Sequence, residues 1–220
     1  MQTTPLAATR DMASLGQLNA DVMGWLSRRD VAPLIPGWIS MVETDIAEQL
    51  RVREMVQNAT QDIDAALISL PADFASMGAM RDLTTGKLLN LEDNWTGPLY
   101  STAPCPTTSY RLVGDCIEFL PHPYIPAPPP DGWKPAAVRM TWFKAPTPLK
   151  EAGDTNAVLE KHYAIYLFGV CKYGAMFELD DDRATQMTGA FSGAVAAANI
   201  AYESANYSGA PLRAAPTRAF

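Results

Sequence analysis

The stretch from Asp30 to Met55 does most to limit what this chain can fold into. Pro36 stands where a helix tolerates proline, in its first turn, because the missing N–H would have no partner there anyway. From that point Ile35, Ile39, Val42, Ile46, Leu50 and Arg53 recur at steps of three and four. That is the apolar stripe of a helix laid on a core, fading into charge at its end. Glu43, Asp45, Glu48, Arg51 and Glu54 fall mostly on the opposite side, with Glu48 and Arg51 spaced to pair. Before it, Leu15, Leu18, Val22, Trp25 and Leu26 mark a shorter amphipathic helix over Leu15 to Leu26. Arg28, Arg29 and Asp30 break the pattern, so the two helices form a hairpin.

A chain of 220 residues with 48% apolar and 19% charged content is long enough for one domain with an insertion and a real core. Its net charge of −7 argues against a module that grips DNA, since phosphate neutralisation supplies most non-specific affinity. An acidic surface beside DNA would repel it and let it slide. Cys105, Cys116 and Cys171 are an odd number without CxxC spacing, which suggests free thiols rather than a disulfide framework or zinc site. Met1 to Arg10 holds no apolar run, so no signal peptide is expected. The longest apolar region, near Tyr163 to Phe177, is too short for a membrane span and is interrupted by Lys172 and two glycines.

Further along, Gln57 to Leu70 suits an extended segment, and Asp73 to Met80 reads as a linker of small residues. Thr84-Thr85-Gly86 is a hairpin-like turn between Arg81-Asp82-Leu83 and Lys87-Leu88-Leu89. Ser109 to Val113 and Cys116 to Leu120 read as strands joined at Gly114-Asp115, and Val138 to Phe143 as a third. The prolines between 121 and 135 exclude a central strand there. Asn156 to Phe177 is expected to be one helix, capped within Asp154-Thr155-Asn156 and apolar on more than one side. Gly169 and Gly174 would let neighbouring backbones approach it closely. Asp180-Asp181-Asp182 ends it and sits at the positive start of a last helix, Arg183 to about Tyr202. The reading is an α+β chain: mainly a bundle of about four helices, an antiparallel β insertion at 80–148, and an extended C-terminal tail at 205–220.

Sites for chemistry are sparse in this sequence. His122 lies between prolines and His162 lies in the aromatic helix, neither with a carboxylate at metal-ligand spacing. The chain holds no nucleophile elbow, phosphate loop or dinucleotide fingerprint. The triple aspartate lacks the interleaved glycine and distal glutamate of a calcium loop. Trp133, Trp142 and Phe143 could stack on sugars, but aromatics alternating on a strand more often form core. No catalytic set, cofactor or metal is expected.

Several segments in fixed order carry a resemblance. They are Trp25-Leu26-Ser27-Arg28-Arg29-Asp30, Leu34-Ile35-Pro36-Gly37-Trp38-Ile39 and Leu50-Arg51-Val52-Arg53-Glu54-Met55, then Gly114 to Pro121, Val138 to Phe143, Pro146 to Leu149, and Thr155 to Leu159. Together they resemble the head-to-tail adaptor proteins of tailed bacteriophages, especially short-tailed ones. The proline-rich segment 121–135 departs from that pattern. The resemblance implies a single adaptor domain over 1–220 and a structural virion protein at the head–tail neck, not an enzyme. Twelve copies would form a ring, with the portal protein on one side and the tail nozzle or hub on the other. Genomic DNA would pass through without specific binding, and no membrane is involved. A carbohydrate-binding tail module, a hydrolase and a channel stopper are the competing roles. On this reading Tyr166, Val170 and Tyr173 of the over-apolar helix are inter-subunit residues. In the tail, Pro211 and Pro216 prevent a helix, while Arg213 and Arg218 suit carboxylates and Leu212 and Phe220 suit pockets. Pro211, Leu212, Arg213, Arg218 and Phe220 are the expected portal-docking set.

Overall fold

The computed structural model describes residues 13–94, 96–97, 107–122 and 136–207, with the backbone alone at 206 and 207. The chain divides into two compact units, Met1–Glu54 with Pro146–Phe220, and Met55–Ala145.

In the first unit, α1 (Leu15–Leu26) starts at Ser14, whose hydroxyl oxygen accepts from the Gln17 N–H. α2 (Ile35–Gln49) carries Pro36 in its first turn and buries Ile35, Trp38, Ile39, Val42 and Ile46. It stops short of Arg53. Leu50 turns extended, and Arg53–Met55 is a separate 3-10 turn. The apolar periodicity outruns the helix because Leu50 and Val52 are still buried after the backbone has left it. Arg51 does not lie along a continuing helix. Its guanidinium folds back to donate to the carbonyls of Ala47, Glu48 and Leu50, groups that a helix end leaves without partners. Asn199 completes that end, accepting from the Arg51 N–H and donating to the Gln49 carbonyl.

The expected helix 156–177 is two helices, α3 (Ala157–Lys161) and α4 (Tyr163–Phe177), parted at His162. Asn156 caps α3, accepting from the Leu159 N–H at 2.8 Å. α5 (Asp181–Tyr207) begins where the aspartates predict, with Asp180 accepting from the Arg183 N–H. It runs beyond the expected end at Tyr202.

α4 is the hub of this unit, because α1, α2 and α5 all pack against it. Two glycines allow that. A Cβ at Gly169 would stand 2.8 Å from a Val42 methyl, and one at Gly174 would stand 2.6 Å from a Leu26 methyl. Alanine or anything larger would push those helices apart.

The second unit holds β1 (Val56–Ile63), β2 (Leu67–Ser69), β3 (Phe74–Asp82), β4 (Asn90–Leu91), β5 (Ser109–Val113), β6 (Cys116–Leu120) and β7 (Ala136–Lys144). They form a three-stranded sheet ordered β1-β7-β3 and a four-stranded sheet ordered β2-β6-β5-β4. All pairings are antiparallel except the short β4–β5 contact. Met80, Tyr110, Ile117, Phe119, Val138, Met140 and Trp142 make the core of this unit. Strands β5, β6 and β7 lie where the sequence indicates, with Gly114 at φ +57 in the β5–β6 turn. The stretch Asp73 to Met80 is not a linker. It forms most of β3, paired to β7 from Phe74 to Asp82. Its small residues show no alternation, so only the long-range partner makes it a strand. The β-rich unit thus opens at Met55, ahead of residue 80.

Candidate interaction surface

Several polar side chains of the first unit are engaged in packing. Tyr166 is fully buried, and its hydroxyl accepts from the Asn156 side-chain amide at 2.8 Å. Burial pushes its ionisation well above the usual tyrosine range. Cys171 is buried too, and burial raises its thiol to about 11, which keeps it protonated and inert. Among the described residues no group of three or more His, Cys, Asp or Glu could hold a metal ion. No helix among them is long and apolar enough to cross a membrane.

Both histidines do have carboxylate neighbours, which the sequence did not indicate. His122 folds back after a bend at Pro121, so its Nε2 lies 2.9 Å from Glu118. Arg111 binds the other oxygen of that carboxylate at 2.5 Å and holds it below the ordinary range, with His122 adding to the effect. His162 lies 3.7 Å from Glu54, which also accepts from Lys161. Each of these carboxylates sits between a histidine and an arginine or lysine, a pairing of side chains rather than a set of metal ligands.

Lys172 is a further case. It looks like an interruption of an apolar helix, yet it is buried, with its ammonium 2.6 Å from Asp45 and 4.7 Å above the Phe191 ring. Tyr173 donates to the same Asp45, and burial with that contact pushes its hydroxyl up to about 12.

These facts revise the expected inter-subunit residues. Tyr166 and Val170 are both 0% exposed, enclosed by their own chain. Tyr173 is half-buried and committed to Asp45. The apolar excess of α4 is absorbed by three helices packing around it, so Tyr166 and Val170 have no surface to offer a neighbour. The expected docking residues Pro211, Leu212, Arg213, Arg218 and Phe220 lie outside the described residues.

The part of α4 that does stay apolar and exposed is its end. Met176 is half exposed, Phe177 is 55% exposed, and Leu179 is 86% exposed. Phe177 leans on Trp38 with ring centres 5.9 Å apart. Leu34 and Met41 flank Trp38 at helical spacing on α2, and both are exposed. These exposed apolar residues form a shelf on the end of α4 and the start of α2, two elements that meet through the Trp38–Phe177 contact.

Leu179 is also strained. It closes α4 at φ +57, with its N–H on the Met176 carbonyl and the Asp180 N–H on the Ala175 carbonyl. That helix ending normally takes glycine. A leucine there suffers both backbone strain and exposure to water. The shelf is held in place from behind. Glu178 receives Arg28 at 3.4 Å and Arg183 at 3.9 Å, and Arg183 donates to the Trp25 carbonyl. Three helix ends are thereby tied together.

A family model described as SU10 adaptor protein matches residues 13–215, nearly the whole chain. No curated protein matches it.

Proposed function

We propose, on the premise that this chain belongs to the SU10 adaptor protein family, that it joins the head of a tailed phage to its tail as a ring in the neck of the virion. In this role one side of the ring meets the portal and the other meets the tail nozzle, and DNA passes through the middle. The family match across 13–215 is the observation that carries the reading. Two physical features support it. The apolar shelf of Leu34, Met41, Met176, Phe177 and Leu179 is surface that a neighbouring copy would cover. A net charge of −7 per chain gives a conduit that does not hold DNA.

A closed ring needs two different faces that meet without a gap. In our reading the shelf is one of those faces, taking the part first assigned to Tyr166 and Val170. The segment 208–220, with Leu212 and Arg213 between Pro211 and Pro216 and with Arg218 and Phe220 after them, docks on the portal. Mixing purified protein with portal rings and sedimenting them tests the role. Co-sedimentation of several copies per ring is expected; folded protein that stays in the supernatant would refute it.

A further inference from the structure

Among the described residues, the β-rich unit has an unprotected sheet edge beside an open cavity. In the three-stranded sheet β7 is central, and β1 and β3 are the edges. The two edges differ. β3 meets β7 through two register shifts, between Phe74 and Ser76 and between Met77 and Ala79. Such bulges twist an edge away from foreign strands. β1 pairs from Val56 to Ile63 without a shift, and its sequence has no proline or lysine. Asn58 to Asp62 are all exposed. A long regular edge of this kind presents main-chain donors and acceptors that a further strand can use.

Beside that edge the core is uncovered. Ala59 and Gln61 are paired with Met140 and Val138, both core residues, so they lie on the inward face of the sheet. Yet both are exposed. The second sheet ends at β2, which has only three residues and leaves this part of β1 bare. The result is an open, mainly apolar cavity of about 200 Å³, floored by Met80, Phe119 and Met140 and rimmed by Ala59, Gln61 and Ile68. An apolar cavity of about 150 Å³ takes a benzene ring, so this one has room for a leucine side chain.

We infer that β1 is a strand-addition site, where an extended segment of another protein pairs along the free edge and sets an aliphatic side chain in the cavity between the sheets. Main-chain bonds supply affinity in this mode, and the pocket supplies selectivity. Charge narrows the partner. Asp62 near the end of β1 and Asp64 just beyond it are exposed at the edge itself, whereas the exposed arginines of this sheet, Arg139 opposite Thr60 and Arg81 beside it, lie on the inner strand and the far edge. Carboxylates at the edge, with the guanidiniums set back from it, favour a segment bearing lysine or arginine. The chain's own segment 208–220 is basic, but Pro211 and Pro216 remove donors within it and leave only 212–215 uninterrupted. The occupant is therefore a proline-free, basic segment from a different chain. The adaptor reading supplies the setting in which such a partner exists, whereas the site belongs to the protein alone.

The test uses the full chain and a terminally blocked heptapeptide, Lys-Thr-Thr-Leu-Thr-Thr-Lys, with hydrogen exchange followed by mass spectrometry. Saturable binding should slow exchange across Val56–Ile63 and leave β3 unchanged. A peptide ending in glutamates should bind at least tenfold more weakly, and the double variant Asp62→Lys with Asp64→Lys should reverse that order. Ala59→Leu fills the cavity from β1 itself, so it should weaken binding at least tenfold without lowering the melting temperature. No binding, no slowing in β1, or undiminished binding to Ala59→Leu would overturn the inference. Intact peptide binding together with a failed portal assay would count against the adaptor role alone.

Discussion

Leu179→Gly should separate the stability of the fold from its assembly. The residue closes α4 at φ +57, and its side chain is 86% exposed. Left-handed backbone costs a residue with a Cβ roughly 1–2 kcal/mol, and glycine removes that strain. Glycine's greater freedom in the unfolded chain returns roughly 0.5–1 kcal/mol of the gain. The net is a protein more stable by about 0.5–1 kcal/mol, a rise of roughly 1–4 °C for a chain of this size. The same change deletes the most exposed side chain of the shelf. Burying a leucine in an interface contributes about 1.5–3 kcal/mol, so losing about 2 kcal/mol weakens each contact about thirtyfold. The assay pairs thermal unfolding by circular dichroism with sedimentation on portal rings. Melting unchanged or raised, together with weakened assembly, is the expected result. Normal assembly would remove Leu179 from the interface, and a lowered melting temperature would refute the strain argument.

Three other perturbations follow from the packing and the ion pairs. Gly169→Ala places a methyl 2.8 and 2.9 Å from both methyls of Val42, a side chain too stiff to yield. Overpacking of about 1–3 kcal/mol outweighs alanine's helix preference of about 1 kcal/mol, so the urea midpoint should fall. Tyr166→Ala should cost about 3–5 kcal/mol and damage folding itself, detectable as lost near-ultraviolet dichroism rather than as an assembly defect. Glu118 has a folded-state ionisation held below its ordinary value by Arg111 and His122. Its stabilising contribution is therefore present above the usual carboxylate value near 4.5 and is lost as pH falls through the lower folded value. The melting temperature of the native protein should drop more steeply below about pH 4.5 than that of Glu118→Gln; parallel curves would show that the pair contributes nothing.

Much of the fold was legible because local signals agreed with tertiary ones. Leu15 to Leu26 has helical periodicity followed by a break, and both coincide with α1. The turn at Gly114-Asp115 sets the β5–β6 hairpin, and the aspartates at 180–182 set the start of α5. Readings failed where one signal persisted past the structure that produced it. Buried Leu50 and Val52 kept the rhythm of α2 after the helix had ended, and apolar residues on both sides of His162 concealed the gap between α3 and α4. β3 was invisible because Ala75, Ser76, Gly78 and Ala79 favour nothing locally and are ordered by β7.

The interaction surface was harder to see for a related reason. A sequence shows that α4 has more apolar residues than one face can use, but not how many helices surround it. With three neighbours in place, Tyr166 and Val170 are spent inside, and the surplus reappears at Phe177 and Leu179. Leu179 carries a signal that sequence alone does not expose, because its strain exists only once the helix is known to end there. The Glu118–His122 contact is similar: four residues apart on an extended chain would be distant, and the bend at Pro121 brings them together.

Negative-stain imaging of purified portal rings, alone and after incubation with this protein, tests the neck role most directly. The account predicts a second, rotationally symmetric layer on one face of the portal, with its own density around an open central channel. Portal rings that remain bare in the presence of excess folded protein would contradict it.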